Sequence, residues 1–135
     1  GKTEGIATEW YPDAKKKSAT PFRGGKQHGK AIEWHANGEK KTEATYLNGE
    51  AQGLQLAWRE NGKKRAEATY EKGKINGIVR EWDKNGALVY EAEWKNSKLH
   101  GAFVKWDENG KEIVRKQFVE GKEVQAKSSG GKKDN

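Results

Sequence analysis

Residues 53–72, GLQLAWRENGKKRAEATYEK, contain the pattern that decides the fold of this chain. A short segment rich in apolar residues ends at Trp58, the pair Asn61-Gly62 follows, and a second segment ends at Tyr70. An Asn-Gly pair between two segments of strand-forming residues is typical of a β-hairpin. The stretch therefore predicts two antiparallel strands joined by a short turn.

The same pattern recurs every 24 residues along the chain. The repeated tryptophans are Trp10, Trp34, Trp58, Trp82 and Trp106, and a second aromatic series comprises Phe22, Tyr46, Tyr70, Trp94 and Phe118. A fixed period of this length indicates a repeat architecture. We predict an array over residues 1–124, followed by a flexible basic tail at 125–135 whose lysine-rich and small-residue composition cannot pack a core. The predicted repeats are 1–24, 25–48, 49–72, 73–96 and 97–120, with a partial copy at 121–124.

A single hairpin is at best marginally stable in water, so successive hairpins must stack side by side. The sequence therefore predicts an all-β fold, an elongated and twisted antiparallel sheet of five tandem 24-residue hairpins. A glycine-bounded loop is expected between successive repeats. The first copy, with Pro12 at its turn and Pro21 in its second strand, is expected to be a terminal or edge repeat.

Side-chain alternation predicts the register of the hairpin. If Gly62 is left-handed and closes a three-residue loop, Trp58 lies opposite Lys64 and Leu56 opposite Ala66. This register gathers the tryptophan row and the tyrosine and phenylalanine row on one face as the structural core. On the other face it pairs Glu9 with Lys17 and Glu33 with Lys41, and it leaves Lys41 and Arg65 to separate Glu43, Glu67 and Glu91.

Composition limits the classes of function. Charged residues make up 35% of the chain and hydrophobic residues 32%, and the net charge is +7, which favours acidic proteins, anionic surfaces or nucleic acid as partners. The chain has no cysteine, which excludes disulfides and thiolate chemistry. No apolar run is long enough for a membrane-spanning helix. We expect a soluble protein, either cytoplasmic or extracytoplasmic after removal of an N-terminal segment, and the start at Gly1 suggests a trimmed, processed or engineered N terminus.

Catalytic and metal-binding patterns are weak. His28 and His100 occupy equivalent positions before a repeated glycine, where a polar turn residue is the simpler interpretation than a metal ligand. No serine lies near a histidine in the repeat frame, and the glycines punctuate turns instead of forming a phosphate loop. We therefore expect no enzymatic activity, no metal and no cofactor.

The pattern Gly-Lys-x-x-Gly-x-x-x-x-Trp-x-x-Asn-Gly, followed by Glu-Ala-x-Tyr, resembles the MORN repeat family. It is most similar to the variant repeats of bacterial YwqK-type antitoxin or immunity proteins, and residues 25–48, 49–72 and 73–96 fit it best. The resemblance implies a non-catalytic platform for protein contacts and, in some members, for anionic lipid.

Two functional hypotheses follow. The first is a scaffold for protein–protein interaction with an acidic partner, either an antitoxin or immunity protein or an accessory subunit of an assembly. The alternative is a basic adaptor for an anionic surface such as phospholipid, cell-wall polymer or nucleic acid. The aromatic rows are interpreted either as core or as a binding surface. Candidate partner-binding residues are the basic ones near them, namely Lys16, Lys40, Lys64, Lys41, Arg65 and Arg59.

Overall fold

The computed structural model describes residues 3–125 and shows a single antiparallel sheet of 14 strands. The strands are β1 (Gly5–Trp10), β2 (Lys16–Arg23), β3 (Lys26–Gln27), β4 (Gly29–Trp34), β5 (Lys40–Leu47), β6 (Glu50–Ala51), β7 (Gly53–Trp58), β8 (Lys64–Glu71), β9 (Lys74–Ile75), β10 (Gly77–Trp82), β11 (Leu88–Lys95), β12 (Lys98–Trp106), β13 (Glu112–Val119) and β14 (Lys122–Val124). The predicted all-β hairpin array is confirmed. No helix that could cross a membrane occurs within residues 3–125. The predicted tail lies outside these residues except for Gln125.

The strands follow one another across the sheet in chain order, and the short strands β3, β6 and β9 pair with β2, β5 and β8. The sheet is a single layer over the part of the chain that the structure describes. Consequently, Ala92 and Val104 are the buried hydrophobic residues of that part, with 1% and 3% of their surface exposed. They lie on β11 and β12, so burial is greatest where the fourth hairpin meets the fifth.

The Asn-Gly turn has the predicted form. In the third hairpin, Gly62 N–H donates to the Arg59 carbonyl over 2.9 Å, and Arg59 N–H donates to the Lys63 carbonyl over 2.8 Å. Gly62 has a φ of 87°, the left-handed conformation that a type I turn with a bulged glycine requires. Trp58 lies opposite Lys64, which confirms the predicted pairing at the turn.

Beyond this pair the predicted register is wrong, because every hairpin contains a second bulge. The partner of Leu56 is Glu67 instead of Ala66, since Arg65 is inserted without a partner between the pairs Trp58–Lys64 and Ala57–Ala66. The same insertion places Glu9 opposite Ser18 and Glu33 opposite Thr42, and not opposite lysines. An inserted residue changes the parity of all later pairs in the strand.

The change of parity separates the two aromatic rows. Tyr70 lies opposite Gly53 and therefore shares a face with Ala57, whereas Trp58 shares the other face with Leu56. The prediction that both rows lie on one face is thus wrong. We call the face with Phe22, Tyr46, Tyr70, Trp94 and Phe118 the tyrosine face. We call the face with Trp10, Trp34, Trp58, Trp82 and Trp106 the tryptophan face.

Successive hairpins are joined by two-residue turns instead of loops. Asn48 and Gly49 have φ values of 50° and 90°, the type I′ combination that matches strand twist. Gly49 N–H also donates to the Gln27 carbonyl of the preceding repeat over 2.8 Å, and the equivalent bond recurs at Gly25, Gly73, Ser97 and Gly121. The turns therefore stack into a row that ties each repeat to the one before it.

Side chains connect the repeats at the opposite edge of the sheet. In the first three repeats, the residue after the tryptophan reaches the tryptophan carbonyl of the next repeat. Tyr11 Oη donates to the Trp34 carbonyl over 2.7 Å, His35 Nε2 lies 2.9 Å from the Trp58 carbonyl, and Arg59 Nη2 donates to the Trp82 carbonyl over 2.9 Å. Asp83, next in the series, accepts bonds from its own turn at Asn85 and Ala87 instead.

Candidate functional site

The tyrosine face contains a groove of about 510 Å³ that crosses the strands from β5 to β11. Three parallel rows of side chains form it. The middle row has alanines on the second strands, at Ala44 and Ala68, and Gln55 and Val79 on the first strands between them and beyond. An aromatic row runs along one side, consisting of Tyr46, Tyr70 and Trp94. The groove is therefore an alanine floor beside an aromatic wall.

The third row, on the other side of the floor, is polar and continuous across strands. It runs through Glu33, Thr42, Ala57, Ala66, Glu81, Tyr90 and Lys105, each opposite the next. Thr42 Oγ1 donates to Glu33 Oε1 over 2.7 Å. Burial raises the pKa of Tyr90, and the charge of Glu81 raises it further. The Tyr90 hydroxyl thus remains protonated at neutral pH and can donate a hydrogen bond into the groove.

In the fifth repeat the middle row of the groove continues with large side chains. Phe103 lies opposite Ala92 and continues the alanine row with a large ring. Its centroid is 5.4 Å from that of Tyr90 and 5.7 Å from that of Phe118. The next residue in the row is Lys116, opposite Phe103. The groove is consequently blocked at one end by an aromatic cluster with lysines beside it.

The tryptophan face has a smaller concavity of about 300 Å³, lined by Lys63, Lys64, Trp82 and Gly86. Three of its five rings are covered by a lysine from the preceding repeat, and the ammonium-to-centroid distances are 6.0 Å for Lys16 over Trp34, 5.7 Å for Lys40 over Trp58 and 5.3 Å for Lys64 over Trp82. A lysine at this distance from a ring face makes a cation–π contact. The predicted candidates Lys16, Lys40 and Lys64 therefore lie beside the tryptophans and already contact them.

Three glutamates at equivalent positions of the tryptophan face, Glu43, Glu67 and Glu91, have cationic partners within the sheet. Lys40 Nζ lies 2.7 Å from Glu43, and Arg80 lies 3.0 Å from Glu67 and 2.6 Å from Glu91. Burial raises the pKa of Glu67, but hydrogen bonds from Lys64 and Arg80 lower it by more, so the net shift is downward. The hydrogen bond from Lys40 likewise lowers the pKa of Glu43.

The remaining predicted residues have other places in the structure. Lys41 and Arg65 are exposed residues of the second bulge, and the expectation that they separate the glutamates is wrong because Lys40, Lys64 and Arg80 do so. Arg59 bonds the Trp82 carbonyl. His28 Nδ1 accepts from Asn48 N–H over 3.2 Å, and His100 Nδ1 accepts from Glu120 N–H over 3.3 Å. Both histidines thus bond the backbone of type I′ turns.

Sequence reasoning missed the groove. Its alanines were assigned to the same face as the tryptophans, so the floor could not be separated from the tryptophan row. Glu81, Tyr90 and Phe103 were not singled out, although each departs from the residue found at its position in the neighbouring repeats. Those departures were the available signal. Residues 3–125 contain no group of three or more His, Asp or Glu side chains suited to a metal ion.

An open sheet of stacked hairpins with a groove across its strands belongs to the class of β-hairpin repeat proteins. Two segments, residues 27–48 and 75–96, match the family model described as MORN repeat variant. They lie in the second and fourth predicted repeats in the same phase, which supports the MORN repeat family for this array. Repeats of that family are commonly protein- or lipid-binding modules. No curated protein matches the chain.

Proposed function

We propose that this protein is a non-catalytic scaffold that binds a segment of a protein partner in the groove of the tyrosine face. The observation that carries the proposal is the alanine floor at Ala44 and Ala68 beside the open aromatic wall of Tyr46 and Tyr70. Aromatic side chains with exposed apolar area are the usual anchors of protein interfaces. Small residues next to them leave room for the partner's side chains.

The length of the groove suits a peptide segment. Adjacent strands lie about 4.8 Å apart, so the five main strands from β5 to β11 span about 19 Å. An extended segment of about six residues covers that distance at ~3.3 Å per residue. A groove of this size fits one segment of a partner better than a broad protein surface.

The resemblance to YwqK-type proteins suggests what the partner does. In an antitoxin or immunity protein, the bound segment would belong to a toxin, and binding would block it. In an accessory subunit, the segment would belong to a neighbour in the assembly. Both roles use the groove in the same way, and a partner identified by crosslinking distinguishes them.

Filling the floor tests the site. Ala68→Trp places a large ring between Gln55 and the aromatic wall, whereas Thr69→Trp, the matched control, adds the same ring on the tryptophan face opposite Leu54. A photo-crosslinking residue at position 55 first identifies the partner, and calorimetry then measures its dissociation constant. We expect Ala68→Trp to weaken binding at least tenfold, about 1.4 kcal/mol, and Thr69→Trp to change it less than twofold. Unchanged binding by the Ala68 variant would refute the site.

The tryptophan face supports a second candidate function, attachment to an anionic surface. It exposes the aliphatic side chains of Ile6, Leu54 and Ile78, at 69%, 49% and 37% exposure, and at the other end of the strands the same face carries Lys16, Lys40 and Lys64. Apolar side chains surrounded by cations suit a phospholipid surface. Sedimentation with vesicles containing phosphatidylserine should then weaken steeply with salt and be lost in Leu54→Glu, and salt-independent sedimentation would contradict this function.

A further inference from the structure

The charges of the tyrosine face change sign along the array. In the first four repeats the charged strand residues of this face are acidic, namely Glu9, Glu33 and Glu81. In the fifth repeat they are Lys105 and Lys116, together with Glu123 opposite Phe118. The face therefore has an acidic part and a part where lysines predominate, separated by the aromatic cluster around Phe103.

The carboxylates of the acidic part are able to bind a cationic group of a partner. Ser18 Oγ donates to Glu9 over 2.9 Å, and Thr42 Oγ1 donates to Glu33 over 2.7 Å, so neutral hydroxyls orient these two carboxylates. Within residues 3–125, no lysine or arginine nitrogen lies within 4.0 Å of Glu33 or Glu81. This contrasts with Glu43, Glu67 and Glu91 on the tryptophan face, which have cationic partners inside the sheet.

The lysines at the closed end are available to a carboxylate. Both are exposed. Lys105 Nζ lies 5.7 Å from the centroid of Phe103, and Lys116 Nζ lies 3.6 Å from Glu123. A weak exposed ion pair of that length contributes little, and it leaves the ammonium group able to bind a second carboxylate.

We propose that the groove selects a partner segment whose charges are arranged in the opposite order, with a basic side chain over Glu33 or Glu81 and an acidic side chain over Lys105 and Lys116. This inference rests on the proposed function and adds the chemistry and placement of the occupant. If the basic side chain lies over Glu33, apolar side chains between the charged ends lie on the alanine floor; if it lies over Glu81, the floor holds apolar side chains beyond the basic end. From the strand spacing, Glu33 and Lys105 are about 29 Å apart and Glu81 and Lys105 about 10 Å apart. In an extended segment, charges about three residues apart match the shorter span and charges about nine residues apart match the longer one.

Synthetic peptides with both termini blocked provide the probe. One pool has lysine at one end, glutamate at the other and a randomised core of Ala, Val, Leu and Phe. A neutral pool replaces both charged residues by glutamine. Fluorescence anisotropy measures their dissociation constants for the full chain and for Lys105→Glu/Lys116→Glu. A control variant, Lys40→Glu/Lys64→Glu, makes the same charge reversal on the tryptophan face. Circular dichroism melting confirms that each variant folds.

We expect the charged pool to bind about tenfold more tightly than the neutral pool, since a few partly exposed ion pairs together contribute on this order. Lys105→Glu/Lys116→Glu should remove that tenfold advantage and leave binding of the neutral pool unchanged. A benzophenone beside the peptide glutamate should crosslink to the fifth repeat, and one beside the peptide lysine should crosslink to the second to fourth repeats.

The outcomes separate the two proposals. If both pools bind equally and Ala68→Trp abolishes binding, the groove is a binding site but the charge order is irrelevant, and only the present inference fails. Crosslinks from the acidic end to the second repeat, or loss of the advantage in the Lys40/Lys64 variant alone, would also overturn it. If neither pool shows binding that depends on Ala68, the proposed function itself fails.

Discussion

The two faces of the sheet have aromatic rows of the same 24-residue period, yet their surroundings are opposite. On the tryptophan face, lysines cover the rings of Trp34, Trp58 and Trp82. Its glutamates at positions 43, 67 and 91 have cationic partners. On the tyrosine face, the aromatic wall stands beside alanines and leaves a groove. The neighbours of an aromatic row therefore decide whether its rings line an open groove or contact lysines of the same sheet.

The two faces also differ in whether substitutions on them are expected to alter the stability of the fold or the binding of a partner. Contacts between repeats on the tryptophan face involve Lys64 with Trp82 and Arg80 with Glu67, so this face holds the array together. The tyrosine face contributes its own packing mainly where Tyr90, Phe103 and Phe118 meet. Its central part is left open, and substitutions there should alter binding more than folding.

The largest effect on stability is expected at the two buried residues, one from each face. Ala92→Asp and Val104→Asp each place a carboxylate where 1% and 3% of the residue is exposed, without a paired cation. We expect a loss of about 3–5 kcal/mol in the free energy of unfolding, measured by urea denaturation. Val119→Asp, at a position with 47% exposure in the fifth hairpin, should cost less than about 0.5 kcal/mol. Equal losses at positions 104 and 119 would contradict the assigned core.

A smaller effect is expected from Glu67→Gln, and it should depend on pH. Because the pKa of Glu67 in the folded chain lies below its ordinary value of 4.5, its stabilisation is present above pH 4.5 and is lost as the pH falls through the folded pKa. The variant should lose about 1 kcal/mol at pH 7, and this deficit should diminish as the pH falls below 4.5, measured by urea denaturation. Glu33→Gln on the tyrosine face, where the partner is the Thr42 hydroxyl, provides the comparison. A pH-independent deficit in the Glu67 variant would contradict the ion-pair explanation.

The smallest effect is expected from Lys64→Leu, which copies the residue at the equivalent position 88. The substitution removes the cation–π contact with Trp82 and the 3.1 Å ion pair with Glu67, while leucine retains apolar contact with the ring. We expect a loss of about 0.5 kcal/mol that diminishes at high salt, measured as a shift of the thermal midpoint. A loss above about 2 kcal/mol would contradict this account, because the cation–π contact with Trp82 and the ion pair with Glu67 together stabilise the fold by less than that.

Much of the fold could be predicted from the sequence because its signals are local. The Asn61-Gly62 pair identified the bulged turn, and the pairing of Trp58 with Lys64 followed from it. The second bulge could not be predicted, because it lies among the polar residues Lys63 to Arg65, where hydrophobic alternation gives no signal. The groove could not be predicted either, because without the second bulge Ala68 and Tyr70 are expected on the same face as Trp58.

The sequence by itself determined the repeat, the hairpins and the turns, because turn geometry depends on the residues at the turn and repetition is visible in the chain. Only the tertiary structure decided which side chains share a face. In a β-sheet one inserted residue reverses the side of every later pair, and the insertion at Arg65 and its equivalents is set by backbone pairing between strands. That reversal leaves a groove on the tyrosine face. On the tryptophan face it places Trp34, Trp58 and Trp82 beside lysines.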